Sequence, residues 1–310
     1  MKVLNFGSLN IDKVYKLRRF PLPGETITSL DYNIFPGGKG LNQSIALQKT
    51  GVEVAHAGKV GADGQILLAA LEENNINTGS ITAAVQTDSG HAVIFLNEQK
   101  ENMITLYQGA NHQITLAEIN RVFKKFTKND VLVLQNEINN LPAIIKKAAA
   151  RKMKIVFNPA PMLAAVKEYP LELVDLFILN ETEAAALCNC QHTEAMPAAL
   201  ADFLPGKIIL LTLGTKGVYY IKDRKKIHQP AFKVKVCDTT AAGDTFCGFF
   251  TGLYFSGRKL DFCLQYAAAA AALAVSRPGA ATSIPDLKEV KKFLADCSRS
   301  RRQHIRQTDS

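Results

Sequence analysis

No two cysteines of the 310-residue chain stand as C-x-x-C, and none belongs to a zinc-binding spacing. The six thiols, at positions 188, 190, 237, 247, 263 and 297, lack the dense pattern of a disulfide-stapled secreted domain. With no signal-peptide pattern they are expected to be reduced, in the cytoplasm. A long apolar run is missing too: "YAAAAAALAV" at 266–275 is about half of the ~20 residues that span a bilayer. A buried helix is expected there, and no membrane partner. Nor is charge of one sign concentrated as nucleic-acid binding requires. Lys and Arg exceed Asp and Glu by 37 to 28, but +3 of that excess lies in residues 299–310, and the other bases are interleaved with acids. Small phosphate-bearing molecules fit this charge better than nucleic acid does.

The commonest nucleotide signatures are also absent. The Gly-Lys pairs at 38–39, 58–59 and 206–207 lack both the upstream Gly and the following Ser or Thr of a Walker A loop. The sole Gly-x-Gly, Gly38-Lys39-Gly40, has Gln43 where a dinucleotide fingerprint needs its third Gly.

What is present is an alternation of short apolar runs with longer helical patterns. Strands are expected at 3–9, 54–60, 131–135, 154–158, 176–179, 208–212 and 217–221, and a further one at 232–237. Helices are expected at 40–50, 64–75, 115–126, 141–151, 181–188, 194–203, 243–256, 259–275 and 286–296. This order predicts an α/β fold, a mostly parallel sheet with helices on both faces, and ligands at the strands' carboxyl ends. Residues 13–36, with Pro21, Pro23, Gly24 and Pro36, and the strand-turn-strand pattern within 89–109 break the rhythm. They read as a small β extension, either a lid over a site or a decorative edge. The core domain is expected to span 1–298, with 299–310 a loose basic tail.

Polar residues cluster where those strands end. In "FPGGKGLNQSIALQKTG" (35–51), Gly37, Gly38 and Gly40 precede a helix start whose N–H groups, with Lys39 and Asn42, can meet a ligand; a tight turn explains them equally well. Asn10 and Asp12 share one face at the end of the first expected strand, where they can hold vicinal hydroxyls or cap a turn. Glu137 follows an apolar strand and can accept from a hydroxyl. Asn180 and Glu183 lie three apart at a helix start, as a capping box or near a hydrated Mg²⁺. Thr212, Gly214 and Gly217 form a turn that can pass close to a nucleotide or be only a turn. The strongest segment is "CDTTAAGDTFCGFF" (237–250). Its small residues at a helix start leave backbone N–H groups uncovered for an anion, and Asp244 lies within the same turn, either as an ordinary helix-start cap or, since a carboxylate there repels the anion, as a group kept for chemistry such as accepting a hydroxyl proton.

Taken in order, "GSLNID", "PGET", "GGKGLNQ", "GAN", "NPAP", "NETE", "TLGTKG", "DTTAAGDTF" and "SRPGAATSIP" resemble the ribokinase family of carbohydrate kinases, also called PfkB-type, from residue 3 to about 296. The resemblance implies a ribokinase-like three-layer, doubly wound, mostly parallel sheet with a small β lid that forms a homodimer clasp. It implies ATP-dependent phosphorylation of a small sugar, D-ribose at its 5-hydroxyl ahead of another sugar or a nucleoside; a non-catalytic sugar-binding regulator is the rival. It places the sugar on Asn10, Asp12, Gly38, Lys39, Asn42 and Glu137, makes Asp244 the catalytic base, and makes Ala241, Ala242 and Gly243 the anion hole. The nucleotide would contact Asn180, Thr212, Gly214, Thr215, Lys216, Gly217 and Ala268, with Glu183 supporting Mg²⁺. An activating K⁺ would lie at Asp238, Thr240, Val275, Arg277, Gly279 and Ser283. Three departures from the family pattern, Leu41, His91 and Ala268, bear on the sugar pocket and, in the last case, on the adenine region.

Overall fold

The computed structural model describes residues 1–99, 101–223 and 225–308, with side chains as far as residue 299. In chain order the strands are β1 (Lys2–Phe6), β2 (Asn10–Lys16), β3 (Asp31–Gly37), β4 (Glu53–Val60), β5 (Asn77–Ala83), β6 (Gly90–Leu96), β7 (Asn102–Tyr107), β8 (Val131–Gln135), β9 (Lys154–Asn158), β10 (Leu176–Asn180), β11 (Ile208–Thr212), β12 (Val218–Lys222) and β13 (Lys225–Gln229). The helices are α1 (Lys39–Lys49), α2 (Gln65–Glu73), α3 (Leu116–Phe123), α4 (Leu141–Ala150), α5 (Glu181–Cys188), α6 (Met196–Phe203), α7 (Ala242–Phe255), α8 (Leu260–Val275) and α9 (Leu287–Thr308).

The large sheet has the order β13-β12-β11-β10-β9-β8-β1-β4-β5. Every pairing from β11 through to β5 is parallel, and β12 and β13 add an antiparallel edge. Its central strands are mainly apolar because both faces are covered, with buried polar side chains at Asn5, His56, Lys59 and Gln135. Alternate residues serve two cores: Val3, Val133, Val156, Ile178 and Leu210 face one, with side chains of α1, α7 and α8, while Leu4, Leu132, Ile155, Phe177 and Leu211 face the other, with side chains of α3 to α6. The expected fold class is therefore the observed one.

The second sheet, β3-β2-β6-β7, is the β extension. Asp12 stands beside Ala92 and Phe35 in register, and one residue on, Ile11 stands beside His91. Asp12 and His91 thus belong to opposite faces of the sheet. Leu41 is fully buried in the α1-side core rather than lining a polar site.

Several boundaries differ from expectation. The first strand stops at Phe6, so Asn10 and Asp12 open β2 in the small sheet instead of closing β1. The chain leaves the large sheet where Gly7 passes Gly40 so closely that a Cβ on Gly7 would lie 2.7 Å from the Gly40 Cα. Residues 232–237 are not a strand, since their alternating pattern finds no ladder, and β5 and β13 were not foreseen. Helix α9 continues through the backbone of 300–308, and residues 309–310 of the expected tail lie outside the described residues.

Helices α1 and α7 run side by side in the same direction, and glycines set their spacing. A Cβ on Gly248 would lie 2.4 Å from the Ala46 Cβ and 2.8 Å from the Leu47 nitrogen, and one on Gly252 would lie 2.3 Å from Thr50 Oγ1. Gly248→Ala is expected to destabilise the protein by about 1–3 kcal/mol through overpacking, despite alanine's better helix propensity. A lowered urea midpoint at unchanged m-value is the signature, and an unchanged or higher midpoint would contradict this packing.

Candidate active site

The predicted site residues come from seven segments, and Asp12, Lys39, Glu137, Glu183 and Asp244, from five of them, interact beyond the carboxyl ends of the parallel strands. Helix α7 begins at Ala242 with Ala241 as its N-cap, and no side chain caps it. The N–H groups of Gly243 and Asp244 come before the first helical bond from this cap, Thr245 N to Ala241 O at 2.8 Å. A Cβ on Gly243 would meet nothing within 4 Å, so the fold itself leaves that side of the turn open. The start of α1 is different. There Lys39 N donates to Glu137 Oε2 (3.1 Å), Gly40 N to Ser8 Oγ (3.1 Å) and Leu41 N to Ser8 O (3.1 Å). The expectation of free N–H groups at that glycine loop is corrected: its glycines serve close approach to Ser8 and Gly7, and its donors are spent inside the protein.

Asp244 is 6% exposed and accepts two amides, from Asn42 Nδ2 at 3.1 Å and Gln43 Nε2 at 2.9 Å. Burial pushes its carboxyl above the ordinary range, while Lys39 and the two amides oppose that shift. Lys39 is the positive centre of the site. Asp244 foremost, then Glu137, Glu183 and Asp12, raise its ammonium above the ordinary value against the effect of burial. Glu137 and Glu183 are raised chiefly by burial, and Asp12 is pushed to about 7 by burial and by Glu137.

Asn10, from β2, is 4% exposed and is fixed by Asn111, whose Nδ2 donates to Asn10 Oδ1 at 2.7 Å. The same amide grips Leu9 at both backbone groups, accepting from its N–H at 3.0 Å and donating to its carbonyl at 3.2 Å. Asn111 follows β7, so it ties both roots of the small sheet together.

Asn180 and Glu183 form a complete capping box at α5: the Asn180 side chain accepts from Glu183 N, and Glu183 accepts from both Asn180 nitrogens. Asn180 stands beside Thr212 in the parallel ladder, and Gly214–Lys216 makes a short 3-10 turn just beyond. Gly217 has a second duty, because a Cβ there would lie 2.2 Å from the Gln229 carbonyl of β13. Thr215 is exposed and Ala268 half-buried on α8.

Beside α7, two loops are stitched together. Asp238 accepts from Thr240 N (2.9 Å), Thr240 Oγ1 (2.5 Å) and Gly279 N (3.1 Å), and Val275 O receives the N–H groups of Cys237 and Asp238. Arg277 pairs with Glu289, and Ser283 Oγ donates to Ala280 O. Among the described residues no group of three or more His, Cys, Asp or Glu is placed to hold a metal ion.

A model of the pfkB family carbohydrate kinases matches residues 1–287. The chain belongs to that family. It is 34% identical to a ribokinase of Haemophilus influenzae over 93% of this chain and 96% of the relative, and 35% identical to one of Staphylococcus aureus over 94% and 99%. Among solved structures, the Arabidopsis thaliana ribokinase complexed with ribose and ATP superposes with a TM-score of 0.85 at 29% identity, covering 94% of this chain and 98% of that one. The Cryptococcus neoformans ribokinase complexed with ADP gives 0.80 at 31% identity, with the same coverage.

Residue-by-residue reasoning missed Ser8, Gln43, Asn111, Gln135 and Asn158 in this kinase. Their signal was faint: polar side chains just after or at the ends of apolar strands, in the turn after β7 or within an otherwise buried helix, all but Gln135 in segments carrying the resemblance.

Two predictions follow from this geometry. Gly243→Val is expected to leave the thermal midpoint within about 2–3 °C, because the added side chain enters open space. It should cut kcat at least tenfold by covering the bare helix start, and a fully active variant would remove that role. The second concerns Asp12. Its folded value of about 7 exceeds the unfolded value near 4, so its stabilising contribution is complete below pH ~4 and lost as pH rises to ~7. Asp12→Asn should therefore be more stable than the parent at pH 8, by roughly 2–4 kcal/mol, while binding sugar more weakly. Urea titrations from pH 4 to 8 giving parallel curves for the two proteins would refute this.

Proposed function

We propose that this protein is an ATP-dependent sugar kinase that transfers the terminal phosphoryl group of ATP to the 5-hydroxyl of D-ribose. The observation that carries this reading is the meeting, within one turn of α7, of an uncapped helix start and a buried, amide-held carboxylate. The ribose-and-ATP complex of the Arabidopsis thaliana relative supports the choice of substrates.

In this reading Asp244 accepts the proton of the attacking hydroxyl, and the turn Ala241-Ala242-Gly243 is the anion hole, in which the N–H groups of Gly243 and Asp244 receive charge that develops on the transferred phosphoryl group, while the Ala242 N–H donates to the Thr239 carbonyl at 3.3 Å and holds the turn. Asp12 and Glu137 accept from sugar hydroxyls. Lys39 balances their charge, and Asn10 and Asn42 supply amides; the Asn42 Oδ1 is buried without a protein partner. Asn180, Thr212 to Gly217 and the α8 surface at Ala268 hold the nucleotide.

Mg²⁺ would neutralise phosphate charge. Glu183 fits it through water, since both its oxygens already accept protein N–H groups. The loops at Asp238, Thr240, Val275, Arg277, Gly279 and Ser283 offer carboxylate, carbonyl and hydroxyl oxygens, which suit a hard cation such as K⁺. The lid sheet exposes Tyr32 (45%), Ile34 (45%), Met103 (53%), Ile104 (57%) and Tyr107 (48%). A second copy of the chain is the partner proposed for that surface, in a cytoplasmic homodimer.

Asp244→Asn should lower kcat by roughly 10²- to 10⁴-fold, with sugar binding largely kept. The measurement is coupled ADP release with Mg-ATP across pentoses, hexoses and nucleosides. Near-normal turnover in the variant would sink the base assignment, and a flat panel for the parent would sink the kinase reading.

A further inference from the structure

Behind Asp244 lies a chain of buried polar side chains whose direction is fixed at its far ends. Gln43, fully buried, uses its whole hydrogen-bonding capacity. Its Nε2 donates to Asp244 Oδ1 (2.9 Å) and Asn158 Oδ1 (3.1 Å), and its Oε1 accepts from Gln135 Nε2 (2.8 Å) and Cys247 Sγ (3.3 Å). The orientation of an amide follows from what its two ends meet. Asn158 spends its Nδ2 on the Ile178 carbonyl, which can only accept, so its oxygen is left to face Gln43. On the other side Gln135 Nε2 also donates to Asn5 Oδ1 (2.9 Å). Asn5 in turn donates its Nδ2 to the Gly40 carbonyl (2.7 Å) and to Ser44 Oγ (2.8 Å).

The chain continues to His56, fully buried and pushed down to about 4 by desolvation, hence neutral. Its Nε2 faces the Gly7 carbonyl at 3.2 Å and must carry the proton, so Nδ1 accepts from the Ser44 hydroxyl at 2.8 Å. Three backbone carbonyls, Gly7, Gly40 and Ile178, therefore dictate which end of the Gln43 amide reaches the carboxylate. It is the nitrogen.

We propose that Gln43 is a positioning residue for the phosphoryl-transfer base, its amide oriented by Gln135 and Asn158 so that Asp244 is held ionised with one oxygen clamped. The proposal rests on the reading of Asp244 as the base. A buried carboxylate with no such donor takes up a proton more readily. The charged groups facing Asp244 are Lys39 of α1, Glu137 after β8 and Glu183 of α5; Lys39 favours the ionised form and the two carboxylates oppose it. The amides of Gln43 and Asn42 act beside Lys39 against those carboxylates and against burial.

The test is the pH profile of kcat at saturating ribose and Mg-ATP, where Asp12 is engaged by sugar. Gln43→Met keeps the volume and removes both donors. Its acidic limb should move up by about one pH unit, as loss of a hydrogen bond to a charged group implies. The Kd for ribose, from calorimetry, should stay within about threefold. This substitution also strands Gln135 Nε2 and Asn158 Oδ1, so Gln135→Met is measured in parallel. It leaves Gln43 in place but frees its amide to turn, and a smaller shift in the same direction is expected. Acidic limbs unchanged from the parent in the folded variants, or activity lost wholly through ribose affinity, would overturn the proposal. Asp244→Asn separates the two failures: an active Asp244→Asn enzyme refutes the base itself, whereas an inactive one beside an unshifted Gln43→Met refutes only the positioning role.

Discussion

The site depends on how closely two parallel helices approach. Asp244, Gly248 and Gly252 follow one another at single-turn intervals along α7, and they face Asn42 and Gln43, Ala46, and Thr50 at matching intervals along α1. Where α7 has no side chain, the helices close. Where it has a carboxylate, that closeness brings two amides into hydrogen-bond range of it. Packing of this kind tolerates little change of volume, so the position of the carboxylate is set by the core rather than by a surface loop. Both helices lie on the same face of the sheet and share one apolar cluster, which ties the chemistry of the first turn to the stability of the domain.

The second constraint is electrostatic. One ammonium, Lys39, stands among Asp12, Glu137, Glu183 and Asp244, and burial raises all four carboxyls. Such a cluster does not make the unliganded protein most stable, because each desolvated carboxylate costs more than a single cation can return. Sugar hydroxyls and phosphate-bound cations are the natural complements of the excess acceptors. The local cost is the ground on which binding selects its ligands.

Much of this was legible in the sequence, and the exceptions share a cause. Helix α5 was placed to the residue, and most other helices to within two residues at each end, because apolar period and end signals are local. The segment 232–237 alternates as a strand should yet forms none, since alternation cannot reveal whether a partner strand is available. Asn10 and Asp12 open β2 rather than close β1 as their pattern predicts, because the exit of the chain at Gly7 is set by Gly40, which is remote in sequence. The amide chain behind Asp244 was illegible for the same reason. Gln43 and Gln135 stand 92 residues apart, Gln43 and Asp244 201 apart, and no local pattern marks either contact.

Three helix starts at this edge of the sheet show how local chemistry decides what a dipole is used for. Helix α5 satisfies its first N–H groups with its own Asn180 and Glu183. Helix α1 gives its own to Glu137 and Ser8. Only α7 begins with Ala-Ala-Gly and no capping side chain, so among these three its partial positive charge alone is left for an incoming anion. A capped start stabilises the helix that carries it, whereas a bare one leaves its donors unpaired until a ligand arrives. The carboxylate of Asp244 sits in that same turn, where the dipole favours its ionised form. One local feature thus receives the phosphoryl charge and helps keep the base able to accept a proton.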